Sequence, residues 1–153
     1  MSEELSFRLA YDEAVRALRA QGDAHSGLRQ RAATVLATSM VVTSFFGGQA
    51  VARNASPSST GWLAVVAFLL AGVLSLYVLF PADLTFAPEI AAVVALIERA
   101  AQEREAYREL ALQLSGQHET NGRRLTSMQW VFRGAAIALL VEAFFWILFL
   151  SQS

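Results

Sequence analysis

One carboxylate carries most of the chemical interest of this 153-residue chain. Glu142 is the single residue among Asp, Glu, Lys, Arg and His in three long apolar runs, 32–52, 62–80 and 134–150. It stands about 12 Å of helix from either end of the third run. At that depth in a bilayer a carboxylate costs at least about 2.5 kcal/mol unless it is paired, neutralised or hydrated. Three readings compete: a protonated side chain hydrogen-bonded to hydroxyls of the first run, a group lining a water-filled centre in an oligomer, and a costly side chain that merely faces protein. The other two runs hold no arginine to neutralise it.

The first run supplies the hydroxyls. At 100° per residue Thr34, Thr38, Gly48 and Gln49 share one helix face, and Ser39, Thr43 and Gly47 share roughly the opposite one. Small and hydroxyl-bearing residues let helices approach closely and hydrogen-bond across the gap. One such face serves packing inside the subunit; a second needs another partner, either a further copy or a pore. Hydroxyls bonding back to their own helix carbonyls are the alternative. In the second run Ala67, Ala71 and Ser75 repeat at four-residue steps, a ridge for close packing.

Elsewhere the residue types point away from catalysis. His25 and His118 are expected in turns as exposed side chains, and neither has paired ligands at metal-site spacing. There is no cysteine, so no thiolate ligand, disulfide or cysteine nucleophile exists. No glycine-rich phosphate loop is present, and Gly47-Gly48 inside an apolar run reads as a packing notch or kink. The expectation is a protein that is not an enzyme and holds no metal or cofactor. A net charge of -1 gives no footprint for nucleic acid.

The elements that must position these residues follow from the runs themselves. As helices they span roughly 31, 28 and 26 Å, matching a hydrocarbon core of about 30 Å. A soluble three-helix core would need a polar face on each, yet the second run offers only Ser75 and the Tyr77 hydroxyl. The lipid bilayer is therefore the expected partner of all three. The first run is expected to be retained as a span, because no small-residue cleavage site follows it.

Residues 1–31 read as an amphipathic arm, with Phe7, Tyr11, Ala14 and Leu18 at helical spacing and Leu5, Leu9 and Val15 widening the stripe. Gly22-Asp23 is expected to end that helix, and Arg29 and Arg31 to anchor the entry to the first span at the headgroups, as Arg133 does for the third. Residues 32–80 form a two-span hairpin whose second span stops at Pro81. Residues 81–133 read as a helical hairpin: a rod from Pro88 to Ser115, Gly116 as terminator, a turn at His118 to Gly122, and a returning helix. The rod's seam is Val93, Ile97, Ala100, Arg104, Tyr107, Ala111 and Leu114. The returning helix carries Leu125, Met128, Phe132, Ala135, Leu139, Glu142, Trp146 and Phe149 at alternating threes and fours, so it is continuous with the third span, 134–153, and its short tail.

Arginine counts orient the spans. The flanks 1–31 and 81–133 are arginine-rich and the loop after the first span holds only Arg53, which places the N-terminus and residues 81–133 in the cytoplasm and the C-terminus outside. All 12 basic residues other than histidine are arginine, a composition typical of GC-rich bacteria. The fold class expected is an all-α membrane protein with three transmembrane helices, an N-terminal amphipathic helix and a long cytoplasmic helical hairpin.

This order of parts, with Arg31-Ala32 opening the first span and Pro81 closing the second, resembles the transmembrane effectors of bacterial Pycsar anti-phage systems and the related SLATT-type membrane effectors. Those proteins tend to open the first span with an acidic residue, any residue, lysine and alanine; Arg29-Gln30-Arg31-Ala32 keeps the basic residue and the alanine. The resemblance implies a homo-oligomeric inner-membrane effector that forms a pore or impairs membrane integrity when a partner cyclase releases a cyclic nucleotide. Arg104, Arg108, Arg123 and Arg124 would then be the phosphate or partner contacts, since guanidinium forks suit phosphate. Pairing with neighbouring glutamates is the competing reading of those arginines. Two further classes stay open: a non-conducting scaffold or accessory subunit docking a cytoplasmic partner, and a proton-coupled transporter built around Glu142, for which three spans without repeats leave little room.

Overall fold

The computed structural model describes residues 2–54, 58–80 and 103–152; side chains of 2–5, 7, 103 and 104 lie outside that description. Among the described residues every regular element is a helix: α1 (Ser2–Ala52), α2 (Ser59–Leu79) and α3 (Glu103–Gln152). All three are long and apolar enough to cross a membrane. Pro81, Pro88 and the first half of the expected rod fall outside the described residues.

Two breaks expected at glycines are absent. Gly22-Asp23 does not end a helix, because α1 runs through it; and His118 to Gly122 is not a turn, because α3 runs through Gly116 and Gly122 without interruption. The described part of the expected hairpin, 103–133, is thus a single helix. A glycine inside a helix costs only about 1 kcal/mol relative to alanine, and here buried residues flank each one: Leu18 and His25 around Gly22, Leu114 and Asn121 around Gly116. The Thr120 and Thr126 hydroxyls also donate to the carbonyls of Gly116 and Gly122, covering backbone that the glycines leave bare.

Burial along both long helices repeats every seventh residue. Leu18, His25, Ala32 and Ser39 are buried on α1; Leu114, Asn121, Met128, Ala135, Glu142 and Phe149 are buried on α3. That is the period of a coiled-coil seam. It confirms the stripe read from Leu125 to Phe149, and it corrects the rod's seam, where Ala106 and Leu110 are buried while Tyr107 and Ala111 are half-exposed.

The chain divides into two compact units. Unit 1 comprises 1–26 and 82–126. Its buried residues include Leu18, Ala106, Leu110, Leu114 and Leu125, and Tyr11 packs on Tyr107 with ring centroids 5.7 Å apart. Its surface carries charge, with ion pairs Arg16–Glu13 and Arg123–Glu119 at 3.7 and 2.7 Å. His25 is buried, not exposed as its polar neighbours led one to expect, while His118 is exposed and accepts a bond on its carbonyl from the Gln21 amide at 2.9 Å. Leu9, expected in the apolar stripe, is exposed.

Unit 2 comprises 27–81 and 127–153. At one end Leu28 and Ala32 of α1 pack with Val78 of α2 and Met128 of α3. At the other, Phe46 and Ala50 pack with Ala64, Trp146 and Phe149. Early positions of α1 and α3 meet late positions of α2 and vice versa, so α1 and α3 run parallel here and α2 runs against them. Ser58 caps α2, its Oγ accepting from the Gly61 amide at 3.3 Å, and Phe80 ends it. Asn54 closes α1 in the left-handed region at φ 50, a conformation asparagine tolerates.

The interior of unit 2 holds small residues along its middle, Ala64, Ala67, Ala71, Ser75, Ser39, Ala135 and Ala138, with Glu142 among them, and larger apolar groups, Leu28, Val78, Met128, Trp146 and Phe149, toward its two ends. Its exterior is large and apolar, with Leu69, Leu70, Val73, Leu76, Ile137, Leu140, Phe144 and Ile147 exposed. An apolar exterior of this extent marks contact with another apolar phase. Small residues inside are what close helix packing in lipid requires.

Candidate functional site: a buried carboxylate clasped by hydroxyls

Glu142 is fully buried inside unit 2. Its residue number on the α3 seam puts it opposite the Ser39 and Thr43 face of α1, and those two residues sit one helical turn apart. The Ser39 hydroxyl donates to Glu142 Oε2 in a short bond, and the Thr43 hydroxyl donates to Oε1 at 2.6 Å. Trp146, one turn beyond Glu142, donates its indole N–H to Thr43 Oγ1 at 3.4 Å. An indole N–H is donor only, so Thr43 accepts from the tryptophan and is left to direct its own proton at the carboxyl. Trp146 is itself held by Phe149, edge to face at 6.0 Å between centroids.

Both carboxyl oxygens therefore accept from hydroxyls on one face of α1, so hydroxyls of the first run do meet Glu142. Gly47 extends that face, and a Cβ there would meet Trp146 at 3.8 Å. The described residues hold no group of three or more His, Cys, Asp or Glu able to take a metal. What the clasp does is tie α1 to α3 within the apolar interior.

The other face of α1 points away. Thr34, Thr38, Gly48 and Gln49 are exposed or nearly so, and Gly48 faces open space. Thr34 returns its hydroxyl to its own helix, donating to the Gln30 carbonyl at 3.1 Å. The division of polar residues into two faces is thus real: Ser39 and Thr43 inside, Thr34, Thr38 and Gln49 outside. The ridge Ala67, Ala71 and Ser75 lies wholly inside.

The arginines separate. Arg29 is half-buried, and its guanidinium donates to the Leu79 carbonyl at 2.9 Å, so it covers the C-terminus of α2 instead of facing headgroups alone. Arg31 is exposed, and exposed Arg133 lies over the Trp130 ring at 4.7 Å, the aromatic and cationic pairing typical of a span boundary. Arg123 pairs with Glu119, Arg108 is exposed, Arg124 is exposed, and the Arg104 side chain is outside the description. On one continuous helix Arg108 and Arg123 stand about 22 Å apart along the axis, too far to hold one phosphate between them.

Reasoning from sequence missed Trp146 as a donor to the cluster and His25 as a buried residue. The four-residue step from Glu142 to Trp146 signals the first, and the seven-residue step from Leu18 to His25 to Ala32 signals the second. No family model, curated protein or solved structure matches the chain.

Proposed function

We propose that this protein is an oligomeric effector of the bacterial inner membrane, with its N-terminus in the cytoplasm and its C-terminus outside, that impairs membrane integrity in anti-phage defence. The observation that carries the reading is the double polar character of α1. One face is consumed by Glu142; the other presents Thr38 and Gln49 on the exterior of an otherwise apolar unit. Polar groups on a lipid-facing surface gain from meeting other polar groups, and a second copy supplies matching donors and acceptors. Assembly through that face would gather polar side chains where a pore needs them. The nucleotide trigger implied by the resemblance would meet Arg108 and Arg123 together only from different copies.

The scaffold reading has its own support, because Glu142 is fully buried within one subunit with both oxygens taken by α1 hydroxyls. Dye release from liposomes containing the full chain, with and without cyclic mononucleotides, separates the two. The effector reading expects release; a folded oligomer that never releases dye under either condition supports the scaffold. Glu142→Gln, which keeps an oxygen acceptor, is expected to preserve assembly, and Glu142→Leu to weaken it. If neither substitution changes assembly, the clasp plays no part in it.

A further inference from the structure

Beyond the clasp, unit 2 contains an apolar groove of about 300 Å³ at the end where α1 finishes and α2 begins. Gly47, Gly61, Trp62, Val65, Trp146 and Phe149 form most of its wall, and Ser58 stands at the α2 cap. Glycines make the space: a Cβ on Gly61 would come within 3.3 Å of the Phe149 ring, and one on Gly47 would reach Trp146. The volume is at the low end for small-molecule sites, which are mostly apolar with a few polar groups at fixed points.

We propose that this groove holds one acyl chain of an acidic phospholipid, a reading that rests on the three helices crossing a bilayer and is independent of the effector assignment. The groove lies within a turn or two of the helix ends, the depth at which an acyl chain approaches its headgroup. The only basic side chain in the described connection between α1 and α2, Arg53, is exposed there and reaches the Leu150 carbonyl at 3.5 Å, one residue from Phe149. An apolar slot with a guanidinium beside it matches an amphiphile with an anionic head. Trp62, two-thirds exposed, is the amphipathic side chain that favours this depth.

The test uses the full chain with Trp62→Phe and Trp130→Phe, which leaves buried Trp146 as the sole tryptophan. Its fluorescence is followed in nanodiscs of phosphatidylcholine containing rising fractions of phosphatidylglycerol or phosphatidylcholine brominated on the acyl chain. The expected result is quenching that saturates at a severalfold lower fraction of the brominated phosphatidylglycerol. Arg53→Ala should remove that preference. Gly47→Leu should abolish the saturable phase while Ala33→Leu, at an exposed site away from the groove, retains it. Val51→Phe, at an exposed lining position, gives a second obstruction that leaves the packed interior alone. Quenching that rises in proportion to both lipids without saturating, or that survives Gly47→Leu and Val51→Phe, overturns the site. Equal saturation by the two lipids overturns the acidic-headgroup assignment.

Discussion

The two units of this protein differ in what they hide and in what they expose. Unit 1 hides leucines, Leu18, Leu110, Leu114 and Leu125, and exposes ion-paired arginines and glutamates. Unit 2 hides mainly alanines, with two serines and a glutamate, keeps larger apolar groups such as Leu28, Val78, Met128, Trp146 and Phe149 at its ends, and exposes many leucine, isoleucine and phenylalanine side chains. The same two helices supply parts of both, so the change is written in side-chain chemistry and not in backbone form. In water, removal of large apolar surface drives packing. In lipid that force is missing, and close backbone approach with a few hydrogen bonds takes its place.

The contrast predicts which substitutions matter where. Leu114→Ala opens a cavity in the leucine core of unit 1 and is expected to cost about 2–5 kcal/mol, read as an earlier loss of far-ultraviolet helix signal on heating in detergent. A cost under half of that range would mean unit 1 is not packed as a water-type core. Leu140→Arg places a charge near the middle of an exposed face of α3, with an expected penalty of about 2.5–3.5 kcal/mol on membrane insertion. Leu112→Arg, at another well-exposed leucine, in unit 1, should insert as the parent does; matching penalties at both sites would erase the distinction between the units. Thr43→Val removes the donor to Glu142 and the acceptor of Trp146 together. Its effect should be about 0.6 kcal/mol and at most about 1.7, measured as a shift in denaturation by sodium dodecyl sulfate. Smallest is Arg123→Ala, which breaks a surface pair with Glu119 and should change stability by no more than about 0.5 kcal/mol.

Much of unit 2 was legible in the sequence because lipid imposes simple demands. Twenty apolar residues must form a helix, and a polar residue inside one must find a partner, so hydroxyls of the first run are an expected partner of Glu142, while which of the two faces supplies them is not written in the sequence. The separation of Thr34, Thr38 and Gln49 onto the opposite face followed from the helical period alone. What was not legible was continuity. Gly22, Gly116 and Gly122 carry the local chemistry of helix ends, and local chemistry is outweighed when Leu18, Leu114 and Leu125 on either side are packed. Arg29 was read from its position beside a span, whereas its bond to Leu79 depends on where α2 ends in space.

The central claim is that α1 presents two polar faces with different partners, Glu142 for one and a second copy of the chain for the other. The chain lacks cysteine, so single cysteines introduced at adjacent positions test this directly. Membranes containing Thr38→Cys or Ser39→Cys are oxidised with copper phenanthroline and resolved without reductant. The account predicts a disulfide-linked dimer from Thr38→Cys and none from Ser39→Cys. A dimer from Ser39→Cys, or monomer alone from Thr38→Cys, would contradict it.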